Sequence, residues 1–247
     1  MRDLMRGSTP LLIATLACAA LPRTAPAQAA AEPRLRATID LGVVNASGNT
    51  RLRTVNAAEQ LVYRTAPWKF TQTFSIVNGS TNGVETANNI RAGLRADYGF
   101  SAHVRAYTLV LYERNRFAGI ARRFEESIGA TYGALTGPKH ILDIEAGAGN
   151  NQQRGIVGAV ESYWLGRVAG RYRYAIRGNS YVEEKLEILE NLEATADTRV
   201  NSEATLVAPF SATIALRFGY LVRFDNRPEP TFKKTDQIVS SGVQIVF

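Results

Sequence analysis

Apolar and polar residues alternate along most of this chain with a period of two. Leu35, Ala37, Ile39, Leu41 and Val43 share one parity, against Arg36, Thr38, Asp40 and Gly42. Trp68, Phe70, Phe74 and Ile76 oppose Lys69, Thr71, Thr73 and Ser75. Ile90, Ala92, Leu94, Ala96 and Tyr98 oppose Arg91, Gly93, Arg95 and Asp97. Ile214, Leu216, Phe218, Tyr220, Val222 and Phe224 oppose Thr213, Arg217, Gly219 and Arg223. Alternation of this kind predicts strands with one greasy and one wet face. About twelve such segments follow one another, separated by turn signals. They are 34–45, 51–64, 68–78, 84–98, 103–115, 121–135, 139–150, 158–176, 180–192, 197–208, 210–225 and 235–247. Around Tyr107, Leu109 and Leu111 both parities are apolar, and the pattern assigns no face. Glu183 to Glu193, rich in acids and leucine, admits a helix. Val182, Leu186 and Ile188 against Glu183, Lys185 and Glu187 also fit a strand.

The connections fall into two classes. Short turns at Ala66-Pro67, Gly99 to Ala102, Thr136 to Lys139, Arg177 to Asn179 and Pro209 follow every second strand. Mostly longer polar loops lie between them: Gly79 to Gly83, Phe117 to Arg122, Asn151 to Val157, Glu193 to Ala196 and Asn226 to Lys234. Short periplasmic turns and longer outer loops are expected of a barrel inserted from the periplasm, and an even strand number returns both termini to one side. Aromatic residues gather at the segment ends. Tyr63, Trp68, Phe70, Tyr98, Phe100, Tyr181, Phe210 and Phe247 are expected at the periplasmic rim. Tyr112, Phe117, Phe124, Tyr163, Trp164 and Phe224 are expected at the other, as two interfacial belts. The expectation is an all-β, antiparallel up-and-down transmembrane β-barrel of about twelve strands. A soluble periplasmic sandwich or lipocalin-like barrel, with these rings in its core, is the competing architecture.

The first residues read as a targeting segment. Arg2 and Arg6 precede an apolar stretch from Leu11 to Leu21, and Ala25-Pro26-Ala27 or Ala27-Gln28-Ala29 offers a small-residue cleavage site. The stretch is shorter than the roughly 20 apolar residues a spanning helix needs. Residues 1–29 are thus expected to be a cleaved secretory signal and 30–247 the barrel domain. The lone Cys18 would leave with the signal, which excludes disulfide, thiolate-metal and cysteine-nucleophile chemistry. Formal net charge is +7. Arg2, Arg6 and Arg23 against Asp3 account for +2 of this, so +5 remains after Ala29. The arginines are scattered singly along strands in an exported chain, a poor match to a nucleic-acid partner.

The last segment, Thr235 to Phe247, sets Val239, Val243, Ile245 and Phe247 against Ser240, Gly242 and Gln244. Such a strand needs its backbone paired, and a closed barrel pairs it with the first. Several short motifs then carry a family resemblance. They are Ser47-Gly48-Asn49-Thr50 after the first strand, Gly147-Ala148-Gly149, and Arg223-Phe224-Asp225-Asn226-Arg227-Pro228. Lys233-Lys234-Thr235-Asp236 then leads into the closing strand. In order and spacing, over nearly the whole mature chain, these resemble the YdiY-like salt-induced outer-membrane proteins, the domain of unknown function 481. The resemblance implies an outer-membrane location and a terminal strand, with Phe247 as assembly signal, read by the barrel-assembly machinery. It supplies no activity and no catalytic residues.

Two functions fit the polar parity. Arg91, Arg95, Arg167, Arg171, Arg173, Arg217 and Arg223, with Asp143 and Glu145, are expected to line the lumen. Arg167, Arg171 and Arg173 share a strand and could form a basic ladder for small anions, since guanidinium groups stay charged and offer forked donors. The same charges could instead pair across the lumen and plug it, leaving a structural surface barrel. Twelve strands lie between filled and channel-forming sizes. An enzyme is not expected. His103 and His140 lie far apart near the predicted periplasmic turns, without a serine-and-acid setting or metal spacing. Gly147 and Gly149 are followed by no helix and form no phosphate loop. The expected partners are outer-membrane lipid and small anionic solutes, with no nucleic acid and no cofactor, for a monomer.

Overall fold

The computed structural model describes residues 34–46, 52–158, 160–194 and 197–247. The leader expected over residues 1–29, with Cys18, and the Ser47-Gly48-Asn49-Thr50 motif lie outside the described residues.

Twelve antiparallel strands close into one ring. They are β1 (Leu35–Ala46), β2 (Leu52–Thr65), β3 (Trp68–Thr81), β4 (Val84–Gly99), β5 (Val104–Asn115) and β6 (Ile120–Thr136). β7 (His140–Gly155), β8 (Val160–Ala175), β9 (Tyr181–Asn191), β10 (Thr198–Pro209), β11 (Ile214–Asp225) and β12 (Thr235–Val246) complete it. Each strand pairs with its sequence neighbours, and β12 returns to β1. Closure satisfies backbone groups that an open sheet would leave bare, a requirement that water can relax but lipid cannot. The β1–β12 seam is short. It carries four register pairs, from Thr38 opposite Val246 to Leu41 opposite Val243, where β1 and β2 share twelve. Phe247 extends the seam: its N–H donates to the Ala37 carbonyl at 2.9 Å, and the Ala37 N–H to its own at 3.1 Å.

The register sorts the two faces. Outward parity carries Val43, Leu94, Ile128, Val168, Phe218 and Val239, all large apolar residues left exposed, Val239 by 80%. A continuous apolar exterior of this kind is the lipid face of a membrane barrel. Polar exceptions are tied down. On the outward parity Gln72 Nε2 donates to Glu59 at 2.7 Å, and Ser202 Oγ to Glu184 at 2.8 Å.

Several expectations change in detail. Glu183 to Asn191 is strand, inside β9. Tyr107, whose face the pattern left open, points inward and is 3% exposed. Tyr163 and Tyr181, expected in the aromatic belts, also turn inward. Tyr163 is buried, and the Arg173 guanidinium carbon sits 3.6 Å from the centre of the Tyr181 ring. The belt expected at the periplasmic rim is contiguous over Trp68, Phe70, Tyr98 and Phe100, which stack or meet edge to face at 5.0–5.8 Å. The expected β3–β4 loop is only a tight turn. Asn82 and Gly83 both adopt positive φ (51° and 81°), the Asn-Gly hairpin geometry that follows strand twist. β7 likewise continues to Gly155, through polar residues read from sequence as loop.

Candidate functional site in the lumen

The inward parity collects the charges. In the middle of the barrel Glu145, on β7, is held between two arginines. Arg95, from β4, donates to both its oxygens at 2.7 and 3.0 Å, and Arg167, from β8, donates at 2.7 Å. Arg95 also donates to Asp97 at 2.8 Å, and Lys69 lies 3.3 Å from the same carboxylate. Arg167 continues to Glu187 at 2.8 Å and to the Tyr107 hydroxyl at 2.9 Å. Tyr107 is the hub: the Arg95 guanidinium lies over its ring at 4.3 Å. Such forked, charge-assisted contacts are the strong ones, and they compensate the desolvation of buried ions.

A second chain follows the wall. Arg171 meets Glu183 at 2.9 Å, and Lys185 lies between Glu183 and Glu203 at 3.3 and 3.6 Å. Arg217 donates to Glu203 at 2.7 Å and lies 3.7 Å from Asp40, which accepts from Gln244 at 3.0 Å. Asp143 accepts from Arg105 at 2.7 Å. The three arginines of β8 therefore present no common basic ladder. Arg167 and Arg171 turn to different carboxylates, and Arg173 packs on Tyr181.

The third cluster sits toward the longer-loop end. Glu113 accepts from Arg223 at 2.6 Å and from Arg123 at 3.5 Å. Arg199 donates to Glu125 at 2.6 Å. Arg91 lines the same cavity as these residues. It makes no hydrogen bond or ion pair among the described residues, and its charge is met at longer range by Glu113, Glu187, Glu125 and Glu203. Arg123 and Arg199 escaped sequence reading, although Arg123 obeys the inward alternation of β6; nothing in either's neighbours marked a cluster.

A strap roofs this cavity. Residues 226–234 leave β11 and cross to β6 and β7, half-way round the strand ring. Gln153 Nε2 donates to Glu229 at 3.4 Å. A Cβ on Gly119 would come within 2.6 Å of the Glu229 Cβ, so the strap depends on this glycine, itself at φ +79°.

The opposite wall differs. Thr38, Asn56, Ala58, Gln60, Thr73 and Ser75 face inward from β1, β2 and β3, all small or neutral, beside the fewer charges Arg36, Asp40, Arg64 and Lys69. Gln60 is exposed to solvent although its parity is that of the lumen. The two histidines stay apart: His103 Nδ1 donates to the Gly133 carbonyl, and His140 Nδ1 shares a hydrogen bond with the Tyr172 hydroxyl, each at 2.8 Å.

Comparison with known proteins gives a family and a fold. Residues 39–247 match the family described as Protein of unknown function, DUF481. No curated protein matches the chain. Among solved structures, the translocator domain of the autotransporter NalP from Neisseria meningitidis is 12% identical with a TM-score of 0.50. The alignment covers 88% of this chain and 89% of that one. The NanC porin is 9% identical with a TM-score of 0.49, over 85% of this chain and 97% of its own. At these identities the likeness is one of fold.

Proposed function

The chain belongs to the DUF481 family, and we propose that this member is an outer-membrane barrel serving as a narrow passive route for small anionic solutes. The single observation behind the reading is the asymmetry of the lumen. Ion pairs fill the side built by β4 to β11, while the wall of β1 to β3, apart from Arg36, Asp40, Arg64 and Lys69, carries small neutral groups and the exposed Gln60. Water and a small ion can pass beside a fixed charge lattice more readily than through it. The paired arginines nearest that gap still bias the field toward anions. In this reading residues 1–29 are removed on export, both termini face the periplasm, and the barrel is a monomer inserted by the barrel-assembly machinery with Phe247 in its recognition strand. The envelope role is adaptation to changing solutes. Single-channel recording of the purified barrel in planar bilayers tests it. Small steps with reversal potentials favouring chloride over potassium are expected. Silence at every salt concentration would instead favour the salt-bridged, closed structural barrel.

A further inference from the structure

The cavity under the strap has more positive charge than its own carboxylates neutralise. Arg91, Arg123, Arg199 and Arg223 line it from the barrel wall, and Lys233 and Lys234 from the strap. Four carboxylates oppose these six cations, a surplus of two. Two donors are unspent: Arg91 has no direct partner among the described residues, and the buried Arg223 Nε has no acceptor. A buried donor without a partner is costly in a folded protein, and its persistence beside unpaired charge points to an absent acceptor. Apolar groups, Leu189, Phe224 and Pro228 among them, share the lining, so the space suits carbon as well as charge. About 50 Å³ of it admits the centre of a water molecule, room for a few waters or one small anion and for no larger ligand.

We propose that this chamber binds one small anion through carboxylate or phosphate oxygens, with Arg91 as the principal free donor. Forked guanidinium donors suit both oxyanions. Glu113 and Glu125 hold Arg223, Arg123 and Arg199 in place, so the ligand meets a preformed site, and the strap with Lys233 and Lys234 closes over it. The site deepens the anion-route reading and supplies it with a place where an anion pauses.

The test is calorimetric titration of the detergent-purified full barrel with acetate and with inorganic phosphate, and with the cation methylammonium as counter-probe. Saturable one-to-one binding of at least one anion, and none of methylammonium, is expected. Arg91→Gln should weaken binding about tenfold, the size of one lost charge-assisted contact. Lys234→Gln, on the strap and outside the wall, should weaken it less, while Arg177→Gln at the opposite rim should leave it unchanged. Heat-modifiable gel mobility reports that each variant is folded, and Lys234→Gln carries the test if Arg91→Gln does not fold. Absence of saturable anion binding, or equal affinity in folded Arg91→Gln, overturns the site. Binding is read without a membrane, so a barrel that binds but never conducts keeps the site and loses the channel, and the reverse result does the opposite.

Discussion

Glu145 shows what single residues do in this lumen. It is 13% exposed and neutralises two guanidinium groups that come from strands on either side of Tyr107. Glu145→Gln leaves Arg95 and Arg167 short of counter-charge in a desolvated setting, a loss of about 3–5 kcal/mol. The temperature at which the folded gel band converts to the unfolded one should fall markedly, and an unchanged conversion would show that water carries these charges instead. The inward position of these residues was legible in the alternation of their strands. Their partners were not. Arg95 and Glu145 are 50 residues apart and Arg223 and Glu113 are 110 apart, so the pairing depends on how the ring closes. Tyr107 was illegible for a different reason: an aromatic on the wet parity looks like noise until two arginines are seen to use its face and its hydroxyl.

At the scale of elements, strand number and order could be read from period and turns, because most outward residues are apolar and most inward ones polar. Strand length could not. Toward the longer-loop end both faces are polar, so Ser80, Gln152 and Arg154 sound like loop while the backbone ladder continues through them. Glycines in the ladder serve close packing. A Cβ on Gly147 would strike the Tyr107 hydroxyl and the Ile128 carbonyl, and one on Gly129 would lie 2.7 Å from that hydroxyl. Gly147→Val should therefore displace Tyr107 and cost about 1–3 kcal/mol, seen as an earlier thermal conversion of the gel band. The seam allows a direct check of closure. Thr38 and Val246 form a pair between hydrogen-bonded neighbours, where opposed Cα atoms come closest. Thr38→Cys combined with Val246→Cys should oxidise to a disulfide in the folded barrel. Failure to cross-link while folded would mean that β1 and β12 do not meet.

At the scale of the molecule, the twelve strands divide space into lipid outside, an ionic lattice over most of the interior, and a wall of fewer charges at β1 to β3. The exposed apolar residues make sense only if the surrounding medium is itself apolar, and the inward charges only if the interior is shared with water or with each other. Thr73 and Phe74 are adjacent in β3 and lie on opposite faces. The most direct measurement is thiol labelling of Thr73→Cys and Phe74→Cys, each in a background without Cys18, in barrels reconstituted into vesicles. Thr73→Cys should react with a membrane-impermeant, charged methanethiosulfonate, and Phe74→Cys only with a lipid-soluble maleimide. Equal reaction of both positions with the charged reagent would contradict a barrel that keeps lipid outside and water within.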